Sequence, residues 1–266
     1  MEDIVSGFKS IGMDWTKIVV FSNMGNWLGL NHKFAISPKE FLRYAKTDYK
    51  GKDTRALINA LSNAKRAMDC QVDLFIQSIG LKHSGKFPAE VDNYIKINST
   101  ESNGNKNYRL IEALGVSPAG LIGRYRELRN KLEHFYETPD SQLVKESIEL
   151  AELLISTIDN AMRSFSFSTL TSGKIDTDDT NGALHISYSS DAGELELEFY
   201  SQLKFDTEEF VSKVVLTPEH CLYMPLMKTC LLVGTEIGWD IAVIELIAAI
   251  NPNIPPKSIY PVLEYA

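Results

Sequence analysis

The chain has 266 residues, 44% of them hydrophobic and 23% charged, which supplies the apolar material for one large domain or two smaller ones. Its net charge of −8 argues against a protein that coats nucleic acid indiscriminately, because phosphate binding leans on basic surface. Cys70, Cys221 and Cys230 are odd in number and form no CxxC pair, so neither a disulfide framework nor a zinc site is indicated, and a reducing cytoplasm is the expected setting.

Met1-Glu2-Asp3 is acidic where a secretory signal would be basic. Residues 1–36 carry Trp15, the short apolar run Ile18-Val19-Val20-Phe21, and Trp27 within Gly25-Asn26-Trp27-Leu28-Gly29. That glycine-flanked stretch lacks the Lys-Ser/Thr of a phosphate loop, so packing is its expected role. Ser37-Pro38-Lys39-Glu40 predicts a helix start with a capping box, running to about Lys46. Asp53 is expected to cap a long helix ending near Gly80, with Leu57, Leu61, Ala64, Met68, Phe75 and Ile79 along one stripe. Lys65 and Arg66 on this helix are either RNA-phosphate contacts or a solvated face. A further helix is predicted from Pro88 to about Ile97, then a polar loop over 99–107, then Tyr108 to Leu114 with Gly115 as the stop.

Ser117-Pro118 opens, and Thr138-Pro139 closes, an amphipathic helix in which Leu121, Tyr125, Leu128, Leu132 and Phe135 recur at spacings of four and three. Off that stripe lie Arg129, Asn130 and His134. At about 100° per residue, Asn130 and His134 share a face one turn apart, while Arg129 stands roughly 140° from His134. One helix alone makes a poor Arg/His site; two copies about a twofold axis would each lend an Arg and a His to a shared cleft. Between Asn105 and Lys131, Lys106, Arg109, Arg124, Arg126, Arg129 and Lys131 outnumber Glu112 and Glu127, so Arg124, Arg126 and Lys131 are further candidates for RNA contact. The plainer reading of the region is a charged helix face, with Arg129 and Glu133 as a solvated i,i+4 pair.

Arg129-Asn130 followed by His134 resembles the signature of the HEPN family, which is Arg, a polar residue, variable residues and His. With Tyr136 added, the segment is similar to the Arg-x4-His-x-Tyr form found in toxins whose antitoxin is a minimal nucleotidyltransferase. The resemblance implies a small antiparallel helical bundle, a dimer joined through the motif helices, and metal-independent RNA cleavage without a cofactor. It implies that Arg129 and His134 are catalytic, that Asn130 is the polar position, and that Tyr136 is the tyrosine modified by a nucleotidyltransferase-type partner. Residues 54–66 look like the first long helix of larger members. Phe135 departs from the small residue common in the toxin branch, and the chain is longer than a minimal member.

Beyond Pro139, Asp140 or Ser141 is expected to cap a helix with Val144, Ile148, Ala151, Ile155, Ile158, Met162 and Phe165 on one stripe, widened by Leu150, Leu153 and Leu154. The helical period stops at 171–173. Leu184–Ser189 and Glu194–Tyr200 read as strands joined by a turn at 190–193, the second with acids on one face and apolar side chains on the other. From 174 to 210 ten acids stand against Lys174 and Lys204, an acidic sheet face that is either solvated or a mask for the basic motif region. Asp206 is expected to cap a helical turn through Val211, Thr217-Pro218-Glu219 to open another helix interrupted near Gly234 and Gly238, and the stretch from Pro252 to Pro261 to be irregular. Lys228, Glu236, Asp240 and Glu245 break the apolar run over 222–250 short of the ~18 residues of a membrane span. His32, His83, His185 and His220 form no i,i+4 pair, Asp176, Asp178 and Asp179 lack the glycine and distal glutamate of a calcium loop, and no Gly-x-Ser-x-Gly elbow occurs.

The expected fold is therefore mainly α: an N-terminal segment over 1–36, an antiparallel HEPN-like helical bundle over 37–168, and a small α+β C-terminal module over 175–266. The expected function is that of an endoribonuclease toxin or antiviral defence effector, with a non-catalytic binding or scaffold module as the alternative.

Overall fold

The computed structural model describes residues 2–23, 27–29, 34–51, 53–100, 105–117, 138–172, 182–204 and 207–265, together with 120, 121, 123, 124 and 127. Helix α1 (Glu2–Ser10) leads into strand β1 (Ile18–Asn23), followed by α2 (Pro38–Asp48), a 3-10 turn (Tyr49–Gly51), α3 (Thr54–Ser78), α4 (Ala89–Asn98) and α5 (Lys106–Ala113). After the motif segment come α6 (Ser141–Arg163), β2 (Phe167–Ser172), β3 (Ala183–Ser189), β4 (Glu194–Lys204), β5 (Thr207–Leu216), α7 (Tyr223–Thr235), α8 (Trp239–Ile250) and β6 (Val262–Tyr265).

Most helix boundaries follow from local chemistry. Ser37 caps α2 with the reciprocal Glu40 capping box, and the carboxylates of Asp53 and Asp140 accept from Ala56 N (2.9 Å) and Leu143 N (2.8 Å) to start α3 and α6. The stripe on α3 is buried from Leu57 to Phe75. Helix α2 lies antiparallel to both α3 and α6, the latter contact marked by Lys39–Asp159 and Lys46–Glu152 ion pairs of 2.6 and 2.8 Å.

The mainly α bundle is overturned. A six-stranded mixed sheet, in the order β5-β4-β3-β2-β1-β6, shares one hydrophobic core with the helices, from Phe8 near the N-terminus to Ile259 near the C-terminus. The run Ile18–Phe21 is a sheet strand, pairing antiparallel with β2 (Ile18 with Ser172, Val20 with Leu170) and parallel with β6. Helix α6 stops at Arg163, so Phe165, placed on the helical stripe by its spacing, is instead buried in the lead-in to β2. The helical turn expected through Val211 is strand β5, whose Val211, Val214 and Val215 favour extended backbone. The stretch from Pro252 to Pro261 is irregular apart from a 3-10 turn at Pro256–Ser258, and β6 follows it; the helix expected at Thr217 starts at Tyr223.

One face of the sheet carries Leu170, Leu184, Ile186, Leu195, Leu197 and Phe199 into the core. Phe8 of α1 closes its end with edge-on contacts to Phe199 and Trp15 at 5.0 and 5.1 Å. The β3–β4 turn docks onto the end of α3: Gly80 (φ +76°) and Gly193 (φ +70°) meet so closely that a Cβ on Gly80 would lie 2.7 Å from the Gly193 carbonyl oxygen. Two buried tyrosines tie the same junction. Tyr188 Oη donates to the Ser78 carbonyl (2.8 Å), and Tyr223 Oη lies 3.0 and 2.8 Å from the carbonyls of Ile79 and Gly193.

Candidate functional site

Arg126, Arg129, Asn130, Lys131, His134 and Tyr136 lie outside the described residues. The start of their helix is described: Gly120, Leu121, Gly123, Arg124 and Glu127 are helical, and Leu121 packs against the core. Arg124 ties this start to α6, its Nη1 donating to Glu127 Oε2 at 2.8 Å and its Nη2 to Glu146 Oε2 at 2.5 Å. Hydrogen bonds to Glu127 and then Glu146 push the Arg124 pKa up, and Arg124 pulls the Glu146 carboxyl below its usual range. Glu127 is exposed and Glu146 half-exposed, so this is a solvent-screened surface contact of small energetic weight.

Arg66 stands elsewhere. It lines an open cleft of about 480 Å³ with Phe34, Ile36, Phe41, Asp69, Cys70 and Asp73. Lys39–Asp159 puts the Phe41 end of α2 beside the C-terminal half of α6, whereas Arg124 holds Glu146 near its start. The interval from Glu146 to Asp159 is about 20 Å at 1.5 Å per residue, so Arg66 and Arg124 do not share a pocket. Lys65 is half-buried on the same helix as Arg66.

Basic residues also gather between α4 and α5, where a cavity of about 560 Å³ is lined by Asp92, Ile95, Lys96, Ser99, Thr100, Lys106 and Arg109. Lys106 Nζ donates to both carboxylate oxygens of Asp92 at 2.8 Å, and Arg109 Nε donates to Ser99 Oγ at 3.0 Å. With the Asp92 carboxylate in the same lining, Lys106 and Arg109 of this hollow are already engaged within the protein.

The acidic row of β4 lies on the sheet face opposite its core residues, where Lys213 of β5 bonds Glu196 at 2.7 Å and approaches Glu198 at 3.5 Å. The described histidines are engaged separately: His83 Nδ1 is 2.7 Å from Gln77 Nε2, His185 Nδ1 is 2.9 Å from Thr169 Oγ1, and His220 Nδ1 accepts from Leu222 N at 3.1 Å. His32 and Asp176, Asp178 and Asp179 lie outside the described residues. Among the described residues no group of three or more His, Cys, Asp or Glu converges as a metal site, and no helix is long and apolar enough to cross a membrane.

Of the residues lining the Arg66 cleft, sequence reasoning singled out Arg66 alone as a candidate contact and missed Asp69 and Asp73. Their signal was the polar series Arg66, Asp69, Asp73, spaced three and four on the flank of the apolar α3 stripe, which places all three on one helix face. No family model, curated protein or solved structure matches the chain.

Proposed function

We propose that the chain is a metal-independent endoribonuclease, acting in the cytoplasm as a toxin or antiviral effector. The observation that carries this reading is the spacing of Arg129, Asn130, His134 and Tyr136 in a stretch whose sequence predicts an amphipathic helix. RNA brings its own nucleophile. Attack of the 2′-hydroxyl on phosphorus expels the 5′-oxygen and leaves a 2′,3′-cyclic phosphate, so the enzyme has only to move two protons and stabilise the phosphorane.

An imidazole with an unperturbed pKa of ~6.5 exchanges protons near neutrality. His134 takes the proton of the 2′-hydroxyl, and the protonated His134 of a second copy gives one to the departing oxygen. Arg129 binds the non-bridging oxygens and Asn130 orients the imidazole or the phosphate. Arg126 and Lys131 extend the phosphate track, with Lys65, Arg66 and Arg124 as outlying contacts; Arg124 has to leave Glu127 and Glu146 to serve. Tyr136 is the site at which a nucleotidyltransferase-type partner silences the enzyme.

Expression of the wild-type chain, Arg129→Ala and His134→Ala in bacterial cells tests this. The expected result is growth arrest with fragmented RNA for the wild type alone, and fragments from purified protein that persist in EDTA. Intact RNA with the wild type, or cleavage that needs Mg²⁺, refutes it. A second reading, a binding or scaffold module, is favoured by the continuous mixed core, which is not the freestanding bundle that the motif implies, and by the engaged state of Arg124. A scaffold retains its protein partners after His134→Ala.

A further inference from the structure

Strand β5 ends the sheet, and its outer edge is open. It pairs with β4 alone, and among the described residues its backbone makes no hydrogen bond to another main chain outside that ladder. In an antiparallel pair alternate residues turn both N–H and C=O away from the partner strand, so this 10-residue edge presents a row of unmade main-chain bonds. The side chains along it are apolar: Phe210, Val211 and Val215 are 57%, 40% and 46% exposed. Helix α1 packs on the inner face of the same part of the sheet, where Phe8 meets Phe199 and Leu216 is buried.

A long edge is ordinarily protected by a proline, a projecting lysine, a bulge or a covering element. β5 contains no proline. Its lysine, Lys213, is drawn back over β4, with Nζ 2.7 Å from Glu196 Oε2 and 3.5 Å from Glu198 Oε1. Its bulge falls at Val211, which has no partner in β4, and beyond it Ser212–Leu216 pair residue for residue with Phe199–Leu195. A regular stretch of edge therefore stays open. The charge beside it has one sign: Glu194, Glu196 and Glu198 stand in a row on β4 and Glu209 lies on β5, while Lys213 is the cation bonded to that row among the described residues.

From this arrangement we infer that β5 is a docking edge for an extended segment of a partner protein in which apolar and basic residues alternate. The segment adds as a further strand: its main chain completes the open ladder and its apolar side chains cover Phe210 and Val215. Strands lie about 4.8 Å apart, so lysines or arginines of the added strand come within a Debye length of ~10 Å of Glu196 and Glu198. An acidic segment meets repulsion from the same row. None of the motif residues takes part, so the inference stands or falls apart from the ribonuclease reading.

The test follows amide resonances of the full chain by NMR during titration with a short, end-blocked peptide alternating valine with lysine. Two controls accompany it: the same peptide N-methylated at alternate residues on its ladder-forming side, and the peptide with glutamate in place of lysine. Saturable shifts over Ser212–Val215 are expected with the basic peptide, about tenfold weaker with the N-methylated one and weaker again with the acidic one. Val215→Lys sets a lysine opposite Glu196, which preserves the fold, and places a charge on the edge that should weaken the basic peptide about threefold or more. Equal binding of the N-methylated or the acidic peptide, unchanged affinity in Val215→Lys, or no saturable shift at β5 each overturns the assignment. So does a dimer of the free chain in sedimentation that Val215→Lys dissociates, since the edge then belongs to a second copy.

Discussion

Tyr223→Phe removes a single oxygen at the point where α3, the β3–β4 turn and α7 meet. The side chain is fully buried, and its hydroxyl lies within hydrogen-bond distance of the Ile79 and Gly193 carbonyls. A hydroxyl has one proton, so it donates to one carbonyl and offers the other only a shared, weaker interaction. Tyr188 is committed to Ser78 and cannot replace it. Removing the donor strands buried acceptors at about 1–3 kcal/mol, and a chain of this size loses about 2–4 °C of Tm per kcal/mol, so the expected fall is roughly 2–12 °C. Gly80→Ala should cost more, because its Cβ meets the Gly193 backbone at 2.7 Å in a left-handed conformation. The assay is urea unfolding followed by far-UV circular dichroism and by tryptophan fluorescence, which samples Trp15 near the N-terminus and Trp239 in α8. Because one core runs through the chain, both probes should move together in the variant. A Tyr223→Phe protein within about 0.5 kcal/mol of wild type, or two separated transitions, refutes the reasoning.

Two further outcomes follow from the same architecture. A chain beginning at residue 37 loses β1, which lies between β2 and β6, and should be recovered only as aggregate by size-exclusion chromatography; a monodisperse, cooperatively melting product would contradict the continuous core. Burial lowers the His220 pKa below 6.5, and its Nδ1 caps the Leu222 amide; the unfolded chain therefore binds the proton more readily than the fold, and stability should decline as pH falls through about 6.5 toward the folded pKa, a decline that His220→Asn should diminish in melts between pH 7.5 and 5.5.

The parts of the fold legible in the sequence are those whose cause is local. A capping side-chain oxygen and the N–H it bonds lie three residues apart, which is why Ser37, Asp53 and Asp140 mark their helices, and period-two alternation is equally local, which is why Glu194–Phe199 marks a strand with a dry face. The turn at 190–193 was legible for the same reason. What failed is non-local. Ile18–Phe21 is too short to be told from a packing segment by its own period, and it becomes a strand because β2, some 150 residues later in the chain, pairs with it. Phe165 keeps the spacing of the α6 stripe without belonging to it, since burial against Phe167 and Tyr188 is satisfied by the sheet.

The candidate sites divide along the same line. The Arg129–His134 spacing is a property of the sequence alone, and those residues lie outside the described ones, whereas the cleft beside α3 depends on Phe41 of α2 and Phe34 ahead of it lying beside Asp69 and Asp73. The mixed sheet also changes what the motif has to do. In a freestanding bundle the motif helix would be one of a few elements, open to pair with a second copy on any side. Here Arg124 ties the described start of that segment to Glu146 of α6, while Lys39 and Lys46 of α2 engage α6 further along, at Asp159 and Glu152. If the proposed twofold Arg/His cleft forms, Arg124→Ala should change cleavage by releasing the Glu146 contact without touching either proposed catalytic residue, and unchanged cleavage would count against that route.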